Sequence, residues 1–193
     1  MENTSLNKSE KGSNGKKVAP LLLKRILAAA LAVAVICLFA PLRRSLVISD
    51  GRSGETLAVF PIEKGEEFKL CFLHSRNLSP IEDVILWDGE KFICLMTRFK
   101  MYGAGVPDIS DGIGAELVKN GDWYELRGVN KEDKILNVML QTVPDHTLIY
   151  RDKEYKLAEL YGSGTLLSFS VKGASLADII RFKMIRRETN GPF

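Results

Sequence analysis

Histidine and cysteine are scarce in this chain. Its 193 residues include two histidines, His74 and His146, and three cysteines, Cys37, Cys71 and Cys94. None of them forms a C-x-x-C or H-x-x-x-H spacing, so no metal site and no cofactor is expected. A G-x-S-x-G nucleophile elbow is also absent. The adjacent His74 and Ser75 cannot form a dyad, because neighbours on an extended chain point to opposite faces. No catalytic residue is assigned, and hydrolase chemistry is the least favoured reading. A basic excess on the folded part is missing too. The net charge is +3, but residues 1–25 carry six Lys/Arg against two acids, leaving 21 basic and 22 acidic residues beyond them. Nucleic acid is therefore not an expected partner. With 193 residues there is room for one domain with a core and a short appendage, but not for two large domains.

Three segments are present. Residues 1–19, MENTSLNKSEKGSNGKKVA, are rich in Ser, Asn, Gly and Lys and nearly free of large apolar groups; they read as a disordered basic tail. Residues 26–40, ILAAALAVAVICLFA, are uninterrupted apolar sequence. Fifteen helical residues cover about 22 Å, short of a hydrocarbon core of about 30 Å. The flanks extend the run to residues 20–42, with Lys24 and Arg25 able to carry their charges to the interface. An uncleaved transmembrane anchor is expected over 20–42. A cleaved signal peptide is the rival reading, disfavoured by Pro41 directly after Ala40. The six basic residues before the apolar core place the N-terminus on the cytoplasmic side of the inner membrane and residues 43–193 outside, as a single-pass protein. The Ala-rich helix would also permit close packing against another helix.

From residue 43 onward, short apolar runs alternate with turn residues about every ten positions: SLVISDG, ETLAVFPIEKG, EFKLCFLHS, IEDVILWDG, KFICLMTRFKMYG, DWYELRG, ILNVMLQTV, HTLIYRD, KEYKLAEL and TLLSFSVKG. The pattern predicts an all-β extracytoplasmic domain, a sandwich or a barrel-like sheet. Asp88-Gly89 predicts a two-residue hairpin turn, with Trp87 opposite Glu90, Ile85 opposite Phe92 and Glu82 opposite Leu95. Glu82 would then share a face with Val84, Leu86, Ile93 and Phe99, and would need a donor, from the HSRNLSP turn or from His74 itself. The tail GASLADIIRFKMIRR reads as a helix in its first half, capped by Ser175 with Asp178 three residues on, or as a last strand.

His74 and Ser75 read as a fold-bracing turn, with ligand or partner contact as the second reading. Gly103, Gly105 and Pro107 in MYGAGVPD read as a shaped turn beside Tyr102, since no helix with Lys-Ser/Thr follows to make a phosphate loop. Cys71 and Cys94 read either as two buried thiols or as a cross-strand disulfide.

Three clusters, HSRNLSPIEDV, TRFKMYGAGVP and DHTLIY, stand in the order and spacing of a known family. Over about residues 45–185 the chain resembles the domain of unknown function 1850 family. The resemblance implies a small membrane-linked protein that accompanies a TAXI-type tripartite ATP-independent periplasmic (TRAP) transporter. It carries no catalytic residues. The expected function is thus a non-enzymatic accessory subunit that docks on a transporter permease or solute-binding protein. His74, Ser75, Glu82, Tyr102, Gly103, Gly105, Pro107 and His146 would build or brace the contact surface. A small-ligand binding or sensing module is the alternative.

Overall fold

The computed structural model describes residues 15–76, 78–101 and 114–189, with side chains described between Leu21 and Phe182. Helix α1 spans Gly15–Phe39. Its stretch Leu21–Phe39 has mean hydropathy 2.4 and no buried side chains, and it is long and apolar enough to cross a membrane. Pro41, which cannot continue an i→i−4 ladder, follows at once, and only residues 40–42 separate the helix from the first strand.

The described residues between Arg43 and Ala174 form eleven strands in two antiparallel sheets. The strands are β1 Arg43–Asp50, β2 Thr56–Pro61, β3 Glu67–Leu73, β4 Pro80–Trp87, β5 Phe92–Phe99, β6 Glu116–Asn120, β7 Trp123–Asp133, β8 Leu136–Met139, β9 Thr147–Tyr150, β10 Lys153–Lys156 and β11 Leu166–Ala174. The smaller sheet runs β2-β1-β11-β8 and the larger β10-β9-β3-β4-β5-β7-β6. The expected all-β domain is therefore a sandwich, not a closed barrel. Every apolar run named from the sequence contains a strand. The short β6, ELVKN, has no strong alternation and was not anticipated. KEYKLAEL holds both β10 and a single helical turn, α2 Leu157–Tyr161.

Between the sheets, Phe68 packs edge-on to Phe92 (centroids 5.6 Å, 89°) and parallel to Phe169 of the opposite sheet (6.5 Å, 10°). Leu46, Ile48, Leu70, Ile85, Trp87, Leu148 and Leu167 join this cluster. Strand β1 is buried on both faces, which is why SLVIS reads as a solid apolar run: Leu46 and Ile48 face the large sheet, whereas Val47 joins Val59, Ala174, Ile179 and Phe182 beneath the last helix. That helix, α3 Leu176–Thr189, covers the back of the small sheet. It starts with the expected capping box: Ser175 Oγ donates to Asp178 Oδ2 (2.6 Å), while the Asp178 and Ser175 amides donate to Ser175 Oγ (3.1 Å) and Asp178 Oδ2 (3.0 Å).

The β4–β5 connection differs from expectation. Trp87 pairs with Phe92, so the loop has four residues, 88–91. Asp88 Oδ1 accepts from the amides of Glu90 and Lys91 (both 2.8 Å), and only Gly89 takes a positive φ, +105°. An Asx turn of this kind needs one left-handed residue, whereas a two-residue I′ turn needs two. Gly51, by contrast, is required for space: a Cβ there would lie 2.8 Å from Leu166 Cγ and Ser168 Oγ, where the Gly51 amide donates to the Leu166 carbonyl (2.6 Å).

Chain direction sets the two ends of the sandwich. β1 leaves the α1 linker at Arg43, and the Arg44 carbonyl receives the Ile62 amide from the β2–β3 connection (3.1 Å), so β3 starts at the α1 end. The β3–β4 turn then lies at the far end, together with the close of β5 and the start of β9.

Candidate functional site

At the far end, between β3 and β4, residues 74–76 and 78–79 are tied to one another by backbone hydrogen bonds. The His74 amide donates to the Ser79 carbonyl (2.8 Å) and the Leu78 amide to the His74 carbonyl (2.9 Å), with Leu78 at φ +51°. His74 Nδ1 accepts from the Arg76 amide (3.4 Å), a long bond, and buried Ser79 Oγ accepts from the Met101 amide (3.1 Å). His74 thus braces the turn, and Ser75 and Arg76 stand exposed at its tip.

The second histidine arrives beside this turn. Pro144, buried, accepts the Leu73 amide (2.7 Å), which ties the β8–β9 connection to the end of β3. His146 stacks on Phe72 (5.4 Å, 29°), and its carbonyl accepts the Leu157 amide (2.8 Å). Among the described residues, its buried Nδ1 has no hydrogen-bond partner. Burial lowers the His146 pKa and outweighs the opposing charge of Asp145, so the neutral ring is favoured. The fold therefore gathers His74, Ser75 and His146 at one end of the large sheet, although His74 and His146 lie far apart in sequence. Tyr102, Gly103, Gly105 and Pro107 lie outside the described residues.

Glu82 is placed differently from expectation. It pairs with Cys71 and Arg98 on the outer face of the large sheet, the face turned away from the small sheet. Its Oε2 accepts from Arg98 Nη1 (3.1 Å), with Lys69 Nζ at 3.9 Å. Among the described residues, the expected partners, the turn amides and His74, are not its donors. The ladder continues across the sheet to Glu125, whose side chain is only 5% exposed. Glu125 accepts from Arg127 Nε (3.0 Å) and Asn120 Nδ2 (3.1 Å), and lies 3.3 Å from Arg98 Nε. The Arg127 hydrogen bonds, then those from Asn120 and the neighbouring positive charges, hold the Glu125 carboxyl below its ordinary range. Trp123 receives Arg98 and Lys100 over its ring at 4.8 and 5.1 Å.

The sequence reading missed the carboxylate next door. Asp83 pairs with Leu70 and Thr97 on the inner face, where Thr97 Oγ1 donates to Asp83 Oδ1 (2.6 Å). Burial raises the Asp83 pKa against the effect of that bond and of Lys131. Cys94 Sγ lies 3.8 Å from the same Thr97 hydroxyl. Its thiol pKa is pushed up to about 11, first by burial and then by Asp83. The signal was present in IEDVILW: Ile81, Asp83, Ile85 and Trp87 form the inward register. Cys71 and Cys94 are both free thiols, separated by β4, with Cys71 on the opposite face from Asp83. Among the described residues, no three His, Cys, Asp or Glu side chains group as a metal-ligand set.

No curated protein and no solved structure matches the chain significantly. A family model does match residues 68–157, from the second residue of β3 through the first residue of α2, and thus the His74 turn, the outer-face ladder, Asp83 and His146. Its description is "Domain of unknown function (DUF1850)", and the match supports placing this part of the sandwich in that family.

Proposed function

We propose that the chain is a non-enzymatic accessory protein, held in the cytoplasmic membrane by α1 with the sandwich outside, which docks on a component of a TAXI-type TRAP transporter. The observation that carries this reading is the position of the exposed Ser75–Arg76 tip, braced by His74 and the Pro144–His146 connection, at the end of the sandwich opposite the entry of α1. With α1 in a bilayer, an eight-residue strand such as β1 lifts that end roughly 26 Å off the membrane. A rigid tip at that height meets a partner in the aqueous compartment, so the solute-binding protein is favoured over the permease. The short linker supports the same reading, because it fixes the height of the tip. The transporter class rests on the family resemblance, and the inward N-terminus on the six basic residues ahead of the span.

The test is affinity recovery of the tagged full chain from mildly solubilised membranes, beside an Arg76→Glu variant. Recovery of a TRAP solute-binding protein or permease with the parent, reduced by Arg76→Glu, is the expected result. Recovery of no transporter subunit by the parent overturns the reading.

A further inference from the structure

The two sheets do not close on each other everywhere. Along β5, β7 and β8 they leave a cleft of about 870 Å³, within the size range of small-molecule sites. A backbone irregularity opens it. Between Cys94 and Met96 on β5, Leu95 has no partner, while on β7 three residues, 128–130, intervene between the matching positions Arg127 and Lys131. Gly128 (φ +73°) and Asn130 (φ +47°) take left-handed conformations to allow this bulge. Such a bulge bends its strand and re-aims side chains, and here it turns Val129 and Asn130 to the cleft wall.

The cleft has apolar walls and two carboxylates, Asp83 and Asp133, of which Asp133 already faces Lys131. Leu70, Ile85, Leu126 and Val138 supply the walls, with Asp83 and Thr97 among them. Among the described residues, Thr97 is the one hydrogen-bond donor to Asp83, which leaves Oδ2 unclaimed. The nearest cation is not committed to it: Lys131 has a 73% exposed side chain and pairs with Asp133 at 3.8 Å. A carboxylate with an open acceptor beside hydrocarbon is poorly solvated and favours a cationic donor that can enter with its own apolar body. This distinguishes Asp83 from Glu82 and Glu125, whose oxygens already face arginines.

We infer that this cleft binds a small molecule with an apolar body and a protonated amine, the amine donating to Asp83 and the body lying against Leu70, Ile85, Leu126 and Val138. The site is separate from the far-end tip, so it stands or falls independently of the docking reading. Cys94, which also lines the cleft, is a built-in reporter, and Cys71, on the opposite face of the sheet, is its internal control.

The test uses the full chain in lipid nanodiscs, with empty nanodiscs subtracted. Cyclohexylamine and 2-phenylethylamine are the probes; cyclohexanol and cyclohexanecarboxylate are the head-group controls. Calorimetry and mass-mapped N-ethylmaleimide labelling are the readouts. At least one amine is expected to bind saturably and to slow alkylation of Cys94 but not of Cys71. Its affinity is expected to fall about tenfold in Asp83→Asn, which keeps the shape and an acceptor for Thr97 but removes the charge. Absence of saturable binding by both amines, unprotected Cys94, unchanged affinity in Asp83→Asn, or equal binding of the carboxylate each overturns the inference.

Discussion

Replacing Phe68 by Ala tests the packing that holds the two sheets together. Phe68 is 2% exposed, at the centre of the interface, with Phe92 edge-on beside it and Phe169 of the other sheet parallel to it. Truncation removes a large apolar group and leaves a cavity that the sheets, pinned by their ladders, cannot easily close. Such changes cost about 3–5 kcal/mol, a large fraction of the roughly 5–15 kcal/mol that stabilises a typical domain. With a urea dependence of about 2 kcal/mol per M, the unfolding midpoint should fall by roughly 1.5–2.5 M. Fluorescence of Trp87, itself buried in the same core, reports the transition, and circular dichroism of the sheets checks that unfolding is cooperative. Glu67→Ala, one position away on the exposed side of β3, is the control and should stay within about 0.5 kcal/mol of the parent. A Phe68→Ala loss below about 1 kcal/mol would refute the face-to-face arrangement at this point.

Ser175→Ala removes the cap hydroxyl of α3 and should cost about 1 kcal/mol, seen as faster amide exchange in the first turn of that helix. Glu82→Gln weakens a partly exposed cross-strand contact with Arg98 and Lys69, so its cost should be at most about 1 kcal/mol; His74 imidazole resonances should not move at fixed pH, because Glu82 contacts Arg98 and not His74. Asp83→Asn should raise thermal stability at neutral pH. The folded chain holds the Asp83 proton more tightly than the unfolded chain, whose value is near 3.8. The parent therefore loses stability as pH rises through the raised value, and the advantage of the variant should vanish near pH 4. His146 has the opposite sign. Its lowered pKa means that stability present above the unfolded value of 6.5 is lost as pH falls below it, so His146→Phe should flatten the parent's decline between neutral pH and about pH 5.

Much of the architecture could be read from the chain because its burial is locally patterned. SLVIS, EFKLCFL and LLSFSVKG sit inside β1, β3 and β11, and the Ser175–Asp178 spacing announced α3. What could not be read were features set by pairing between strands. In IEDVILW, apolar residues occupy both alternating sets, Val84 and Leu86 as well as Ile81, Ile85 and Trp87. Burial of Val84 on the outer face made the wrong phase as plausible as the right one. That ambiguity put attention on Glu82 and hid Asp83. The four-residue turn at 88–91 moved the β5 register by two positions and the irregularity between Val84 and Ile85 by one more, so Glu82 met Arg98 instead of Leu95. The β7 bulge is a long-range mismatch between Leu95 and residues 128–130, and neither segment shows it alone. The meeting of His146 with Phe72 depends on β9 pairing with β3, strands about seventy residues apart.

The most direct measurement is site-specific photocrosslinking in intact cells. A photoreactive residue is placed at Ser75 on the far-end tip and, in a second strain, at the exposed Glu90 in the β4–β5 turn on the α1 side of the sandwich. Adducts at Ser75 with a TRAP solute-binding protein or permease, and none at Glu90, are the predicted result. Adducts at Glu90 alone, or no transporter adduct at either position, would contradict it.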